Sequence, residues 1–334
     1  MSTKERKPGD SRPGSPGPSR PVVVSGRGEF TVKVFADVPP EHDIELRSGS
    51  LATPEDVRAS TQGADAVVVD YEFLSADHIA AMSDSVKIIG YSGTGLDVVD
   101  LEAARARNIA VLYLPGFATE EVAEHTVALM LAGVRRLRRA DQVARTGWGE
   151  WRSAGPLRTL NGATVGLIGL GRIGSGVLRR VRAFGAEVVA YDPDATELPE
   201  GCRRAGSLDE LLRAADVISL QVPLTEQTRG LLGEREFQLM KPDSLLVNAS
   251  RGGVIDERAL VDALERGDIS GACLDVVEQE PLDPAAPITR APNTLLTPHV
   301  AWYSPAAERR SRDHTLNGVA AFVRGEPVRF GVLA

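Results

Sequence analysis

The stretch ATVGLIGLGRIGSGVLRRVRAFGAEVVAYDPD, residues 163–194, decides the fold. TVGLI is an apolar run of strand length, SGVLRRVRAFG has helical spacing, and AEVVAYDPD is a second strand. Between the first strand and the helix stands Gly169-Leu170-Gly171-Arg172-Ile173-Gly174. A GxGxxG in that setting is specific. Gly169 permits a tight turn, Gly171 lets backbone approach a pyrophosphate, and Gly174 lets helix and strand pack closely. The helix N-terminus turns its N–H groups and partial positive charge toward the phosphates. Asp192 ends the next strand, 23 residues after Gly169. A carboxylate there accepts hydrogen bonds from adenosine ribose hydroxyls and repels a 2′-phosphate. No Lys or Arg follows within YDPDATELPEG. NAD is therefore expected rather than NADP.

Outward from this unit the same alternation continues. On its C-terminal side lie SLDELLRAADVISLQVPL, MKPDSLLVNASRGG, DERALVDALERGDISGACLDVV and NTLLTPHVA, and a helix is expected over PAAERRSRDHTLNGVAAFVRG. On the N-terminal side, FTVKVFA (30–36), DAVVVD (65–70), VKIIGYSG (86–93) and IAVLYLP (109–115) read as strands. TPEDVRAS and LSADHIAAMS between them open with helix-capping residues. A long helix is expected from Thr119 as its cap, with Glu120 and Glu121 at its positive end and RRLRR (135–139) at the other. Its stripe of Val122, Thr126, Val127, Met130 and Val134 fits a core-packing face and is also wide enough for a subunit interface. Strands alternating with helices imply parallel sheets. The fold class is α/β, with two consecutive doubly wound halves.

Composition agrees with two globular domains. The chain has 334 residues, 43% hydrophobic and 25% charged, too many for one ordinary core. A net charge of −8 gives nucleic-acid binding little electrostatic support. Cys202 and Cys273 lack metal or CxxC spacing, so neither a metal site nor an oxidising compartment is implied. No apolar run reaches membrane-spanning length. Residues 1–20 contain eleven Pro, Gly or Ser, five basic and two acidic residues and no apolar core, so a disordered tail is expected rather than a signal peptide. A cytoplasmic protein is the expectation.

Hydride exchange with a nicotinamide needs a proton carrier at the substrate oxygen and usually a cation for a substrate carboxylate. Three residues follow C-terminal ends of strands in the second half, where open α/β sheets bind ligands. Arg251 follows SLLVNAS, Glu280 lies past GACLDVVEQ, and His299 follows NTLLTP. Histidine suits proton transfer near neutral pH. A carboxylate hydrogen-bonded to imidazole favours its protonated form and fixes its tautomer. Arginine makes bidentate contacts with an oxoacid.

These residues and segments resemble the D-isomer-specific 2-hydroxyacid dehydrogenase family. TVGLIGLGRIG, VPLTEQTRGLL, LLVNASRGGVIDERALVDAL, GACLDVVEQEPL and LLTPHVA are similar to its signatures in its order. The resemblance implies a flavodoxin-like substrate domain split between residues 21–117 and 306–334, with an inserted Rossmann NAD-binding domain over 118–305. It implies His299 as general acid/base, Glu280 as the partner that orients and tunes it, and Arg251 as substrate-binding residue. Asp275 matches a position on the nicotinamide side of the cofactor. The backbone of Gly93, Thr94 and Gly95 matches the loop that receives the substrate carboxylate. The segment QVPLTEQT, with Val222, Pro223 and Thr228, matches a cofactor-lining loop, as do Ala249, Ser250 and Arg251. Arg172, Ile173, His299 and Ala301 complete the expected cofactor contacts. The helix from Thr119 matches the dimerisation arm, so a homodimer acting on a small 2-oxoacid or 2-hydroxyacid is implied, with no metal.

After His299 the chain reads Ala301-Trp302-Tyr303-Ser304. This is similar to the C-terminal binding protein corepressors, which read AWYS here, and in character to D-lactate dehydrogenases. Trp302 and Phe117 are expected to wall the pocket for the substrate side chain, which would then be apolar or aromatic. Tyr91 stands where the corepressors have an Arg, Thr94 where phosphite dehydrogenases have a Lys, and Glu280 where formate dehydrogenases have an amide. No regulatory domain is read after the final helix, so a serine-feedback phosphoglycerate dehydrogenase is not expected. The alternative to an enzyme is an NAD(H)-responsive dimeric corepressor-like scaffold.

Overall fold

The computed structural model describes residues 20–26, 35 and 42–333. The expected tail and most of the expected strand 30–36 lie outside them. In chain order the strands are β1 (Val22–Gly26), β2 (Glu45–Gly49), β3 (Ala66–Val69), β4 (Ile88–Tyr91), β5 (Ala110–Tyr113), β6 (Thr164–Ile168) and β7 (Glu187–Tyr191). They continue with β8 (Arg203–Arg204), β9 (Val217–Leu220), β10 (Leu245–Asn248), β11 (Gly271–Leu274), β12 (Thr294–Leu296) and β13 (Gly331–Leu333). The chain divides into two compact units. The first holds the described residues up to Ser92, Val98–Tyr113 and those from Arg312 onward. The second holds Gly93–Asp97 and Leu114–Ser311.

The first unit is a six-stranded sheet in the order β2-β1-β3-β4-β5-β13. All neighbours run parallel except β13, which is antiparallel to β5. The first five strands have the flavodoxin-like order. Its central strands β3 and β4 are fully buried, as expected for a sheet covered on both faces. Thr53 caps the helix Pro54–Ser60 by accepting from the Asp56 N–H at 3.1 Å.

The second unit is a seven-stranded, wholly parallel sheet in the order β12-β11-β10-β9-β6-β7-β8. This is the Rossmann order, and strand direction of growth reverses between β6 and β9. Along β10 the side chains alternate between two cores. Leu246 packs with Leu211, Phe237 and Leu260 on one face. Leu245 and Val247 pack with Met130, Val177 and Val181 on the other. That second face receives the stripe of the helix Thr119–Val134. Val122, Thr126, Val127, Met130 and Val134 are all buried within the unit. The stripe is thus core and not a subunit surface.

Two local expectations change, and two strands appear that the sequence did not announce. Ala118, not Thr119, is the N-cap of that helix, and Thr119 is its first helical residue. Its hydroxyl donates to the Gly116 carbonyl at 3.3 Å, back across the turn, and so does not cap the helix N–H groups. The helix stops at Val134 because Arg136 takes a left-handed φ of +47°, and a second helix, Leu137–Thr146, follows. RRLRR therefore spans a junction between helices. Finally, β2 and β13 carry no long apolar run in sequence. β2 is an edge strand with mostly exposed residues, so hydrophobic periodicity has nothing to report there.

Candidate active site

The C-terminal ends of β6, β7, β9, β10, β11 and β12 all lie along one edge of the second sheet, because all run parallel. The expected cofactor and catalytic residues occupy the turns after those six strands.

After β6, Gly169 has φ +89°, and a Cβ there would stand 2.8 Å from the Gln221 carbonyl oxygen. A Cβ on Gly174 would stand 2.6 Å from the Gly169 carbonyl oxygen. Both positions exclude a side chain. Gly171, by contrast, faces open space. The helix Arg172–Ala183 starts beside it, and no side chain caps its first turn. Backbone donors and an open approach fit a pyrophosphate. Ile173 packs inward and Arg172 stays exposed.

Asp192 sits one turn away. Its carboxylate accepts from the N–H groups of Leu170 at 2.8 Å, Asp194 at 3.0 Å and Ala195 at 3.1 Å. It is thereby fixed against the glycine turn, and a carboxylate retains acceptor capacity beyond three bonds. Arg204 on β8 was not foreseen. It donates to the carbonyls of Asp192, Ala195 and Thr196 at 3.3, 2.8 and 3.3 Å, fastening the loop that carries the acid. After β9, Thr228 donates to the Pro223 carbonyl at 2.6 Å and closes the loop beyond Val222.

After β10, buried Asn248 holds the next turn. Its Oδ1 accepts from the Ser250 N–H and hydroxyl at 2.9 and 2.7 Å, and its amide donates to the Arg251 carbonyl at 2.9 Å. Ala249 is buried beneath it. Arg251 Nε donates to Asp97 Oδ1 at 3.0 Å and Oδ2 at 3.2 Å, and an Nη donates to the Ser250 carbonyl at 2.9 Å. Asp97, absent from the sequence-derived set, ties Arg251 to the loop Gly93–Thr94–Gly95. That loop is itself anchored. The Thr94 hydroxyl donates to the Leu114 carbonyl, and the Leu114 N–H to the Gly93 carbonyl, both at 2.8 Å. The Thr94 side chain is committed there, so main-chain groups are what the loop offers a ligand.

After β11 and β12, His299 Nδ1 donates to Glu280 Oε2 at 2.6 Å. The carboxylate can only accept, so Nδ1 carries the proton of this bond. Glu280 is steadied by the Val277 N–H, which donates to Oε1 at 3.1 Å. Both side chains are partly buried. His299 has a left-handed φ of +52°, a conformation uncommon for a residue with a Cβ. Asp275 is buried, and its two oxygens accept from the Thr297 hydroxyl at 2.5 Å and the N–H groups of Val300 at 3.0 Å and Ala301 at 2.8 Å. Burial alone would raise its carboxyl. The neighbouring His125 and hydrogen bonds from Thr297 and the two N–H groups outweigh that and hold it below the usual range. His125 was also not foreseen; on a helix whose stripe looked apolar, nothing marked it.

Phe117 and Trp302 meet, with ring centroids 6.1 Å apart, over a small cluster including Ala301. Tyr303 stands edge-on to Trp302 at 5.7 Å and is half exposed.

Residues 127–301 match the family model described as D-isomer specific 2-hydroxyacid dehydrogenase, NAD binding domain. The chain is 39% identical over 252 residues to a glyoxylate reductase of Thermofilum pendens, covering 72% of this chain and 73% of the relative. The chain belongs to the D-isomer specific 2-hydroxyacid dehydrogenase family. Another member of that family, a D-3-phosphoglycerate dehydrogenase of Archaeoglobus fulgidus, is 35% identical over 294 residues, covering 87% of this chain. The chain spans about half of that relative's length, 55%. Among solved structures, an NADPH-dependent glyoxylate/hydroxypyruvate reductase of Sinorhizobium meliloti in complex with NADP and malonate superposes with a TM-score of 0.84. It is 32% identical, covering 93% of this chain and 96% of that one. A nicotinamide dinucleotide is the cofactor of this family's second unit, and the glycine turn described above fits it. Among the described residues no helix is long and apolar enough to cross a membrane.

Proposed function

We propose that the protein is an NAD-dependent oxidoreductase interconverting a 2-oxoacid and its D-2-hydroxyacid, with the first unit as substrate domain and the second as NAD-binding domain. The observation that carries this reading is the His299–Glu280 pair at 2.6 Å, on the same sheet edge as the glycine turn. The cofactor would lie along Gly169–Gly174, Asp192 and the loops at Val222–Thr228 and Ala249–Arg251. When bound and reduced, it supplies the hydride that adds to carbon 2 of the oxoacid. The N–H groups of the Gly93–Gly95 loop and the guanidinium of Arg251 hold the substrate carboxylate, and Arg251 polarises the carbonyl. Protonated His299, oriented through Nδ1 by Glu280, gives its Nε2 proton to the carbonyl oxygen. In the reverse direction the same nitrogen takes the hydroxyl proton.

The NAD preference rests on Asp192, whose charge would oppose a 2′-phosphate, and on Arg204, which is turned to main-chain carbonyls. Phe117 and Trp302 support an apolar or aromatic side-chain pocket. Exposed Leu137, Trp148, Trp151 and Leu157 follow the helix Thr119–Val134 and support a homodimer arm. The relatives named above are dehydrogenases and reductases, and they lend the corepressor-like alternative no support.

The test is NADH and NADPH oxidation with pyruvate, a branched oxoacid, phenylpyruvate and a phosphorylated oxoacid. Preference for the phosphorylated acid would sink the pocket assignment. His299→Ala is expected to lose roughly 10²–10⁴-fold in turnover while still binding NADH. Near-normal turnover in that variant would overturn the acid/base role. Trp148→Glu with Trp151→Glu is expected to shift the sedimentation of a dimer to that of a monomer.

A further inference from the structure

His299 is the apex of a turn wrapped around one buried carboxylate. The turn begins at Thr297, whose hydroxyl donates to Asp275 Oδ1 at 2.5 Å. It ends at Val300 and Ala301, whose N–H groups donate to Oδ1 and Oδ2 of the same side chain. Between them the His299 N–H donates to the Asp275 carbonyl at 2.8 Å. A left-handed, β-carbon-bearing residue persists only where its surroundings over-determine it. Here the determining group is the Asp275 carboxylate, whose side chain is wholly shielded from solvent.

His125, on the helix Thr119–Val134, completes this arrangement from outside the turn. Its Nε2 lies 3.1 Å from Thr297 Oγ1 and 3.5 Å from Asp275 Oδ1. Thr297 has a single hydroxyl proton, and the ionised carboxylate takes it. The oxygen of Thr297 must then accept from His125, so Nε2 of His125 carries the proton. The order is His125 to Thr297 to Asp275, with His299 held two residues beyond the threonine. A part-buried hydroxyl left without its donor can rotate away from the carboxylate, and one of the clamps on the turn is lost.

We propose that His125 is a positioning residue for His299, acting through the Thr297 hydroxyl and the buried Asp275 carboxylate. The inference rests on His299 being the acid/base group proposed above. The glycine turn and Asp192 belong to other strands and carry the expected dinucleotide contacts away from the nicotinamide, so the loss should reach cofactor affinity only weakly, through the nicotinamide-side positions Asp275, His299 and Ala301. Sub-ångström misplacement of a proton donor lowers turnover with little effect on dinucleotide binding.

The experiment compares His125→Ala, His125→Gln, Thr297→Val and the Ala/Val double variant, with His299→Ala as reference. Turnover is measured with the fastest oxoacid of the panel, and NADH affinity by fluorescence. His125→Ala is expected to lose about tenfold in kcat with the NADH Kd within about twofold. His125→Gln, whose amide N–H can reach the threonine oxygen, should restore most of it. Thr297→Val should reproduce the alanine loss, and the double variant should be no worse than either single one. Wild-type kcat in folded His125→Ala and Thr297→Val overturns the proposal, as do multiplying losses in the double variant or equal loss in His125→Gln. If His125→Ala does not fold, Thr297→Val and His125→Gln decide by the same readings. Retained turnover in His299→Ala would instead strike the acid/base assignment itself, which separates the two failures.

Discussion

Gly95→Ala should damage catalysis while leaving the fold intact. A Cβ built on Gly95 would stand 2.8 Å from Arg251 Cζ and 2.7 Å from Asp97 Oδ1, with Arg251 Nη2 nearer still. Ordinary contact begins at 3.4 Å, so the guanidinium carbon must retreat by about 0.6 Å and Nη2 by more. The obstacle is the far end of a flexible side chain, so the cost to stability is small, on the order of 1 kcal/mol or less. The cost to function is larger. Arg251 is held by Asp97 at 3.0 and 3.2 Å, and moving it breaks that alignment. A misplacement approaching 1 Å can cost on the order of 10²-fold in kcat/KM. Steady-state kinetics with saturating NADH, thermal melting and NADH titration would read the three quantities separately. Arg251→Ala with and without Gly95→Ala supplies the control. If the glycine acts through the arginine, its effect should nearly vanish in the Arg251→Ala background. Wild-type kcat/KM in Gly95→Ala, or full additivity in the double variant, would refute the reasoning.

Glu280→Gln keeps the shape of the partner to His299 and removes its charge. A charge-assisted hydrogen bond contributes about 1.5–3 kcal/mol net, and partial exposure favours the lower end, so about a tenfold fall in kcat is expected; unchanged kcat would show that the pair does not act in turnover. Asp192→Ser should raise kcat/KM with NADPH relative to NADH, and an unchanged ratio would remove Asp192 as the discriminator. Asp275 bears on acid stability. Its folded carboxyl is lowered, so its contribution is present above the ordinary carboxylate range and is lost as pH falls through the folded value. Asp275→Asn should therefore be less stable at neutral pH, with a flatter loss of urea midpoint between neutral and strongly acid conditions; parallel curves would contradict this. Burial pushes the Cys273 thiol up to about 12, so native protein at neutral pH should be alkylated at Cys202 far faster than at Cys273, with both reacting in denaturant.

Much of this protein was legible from residue order alone. GLGRIG between a strand and a helix, with Asp192 at the next strand end, implies a dinucleotide fold because those glycines serve a local geometry. The alternating apolar strands imply parallel sheets because only strands covered on both faces carry such runs. The three charged residues were visible for the same local reason, since each follows a strand. What the sequence by itself could not determine is which distant groups hold them. Asp97 and Arg251 are separated by 154 positions, and His125 and Thr297 by 172. Periodicity and propensity act within a few turns of chain, whereas a hydrogen bond to a buried carboxylate depends on where parallel strands bring their ends. Edge strands such as β2 escaped for the opposite reason, because half-exposed backbone pairing needs no apolar pattern. Tertiary structure alone decided that the helix stripe is core, that Thr94 turns away, and that His299 stands in a left-handed turn around Asp275.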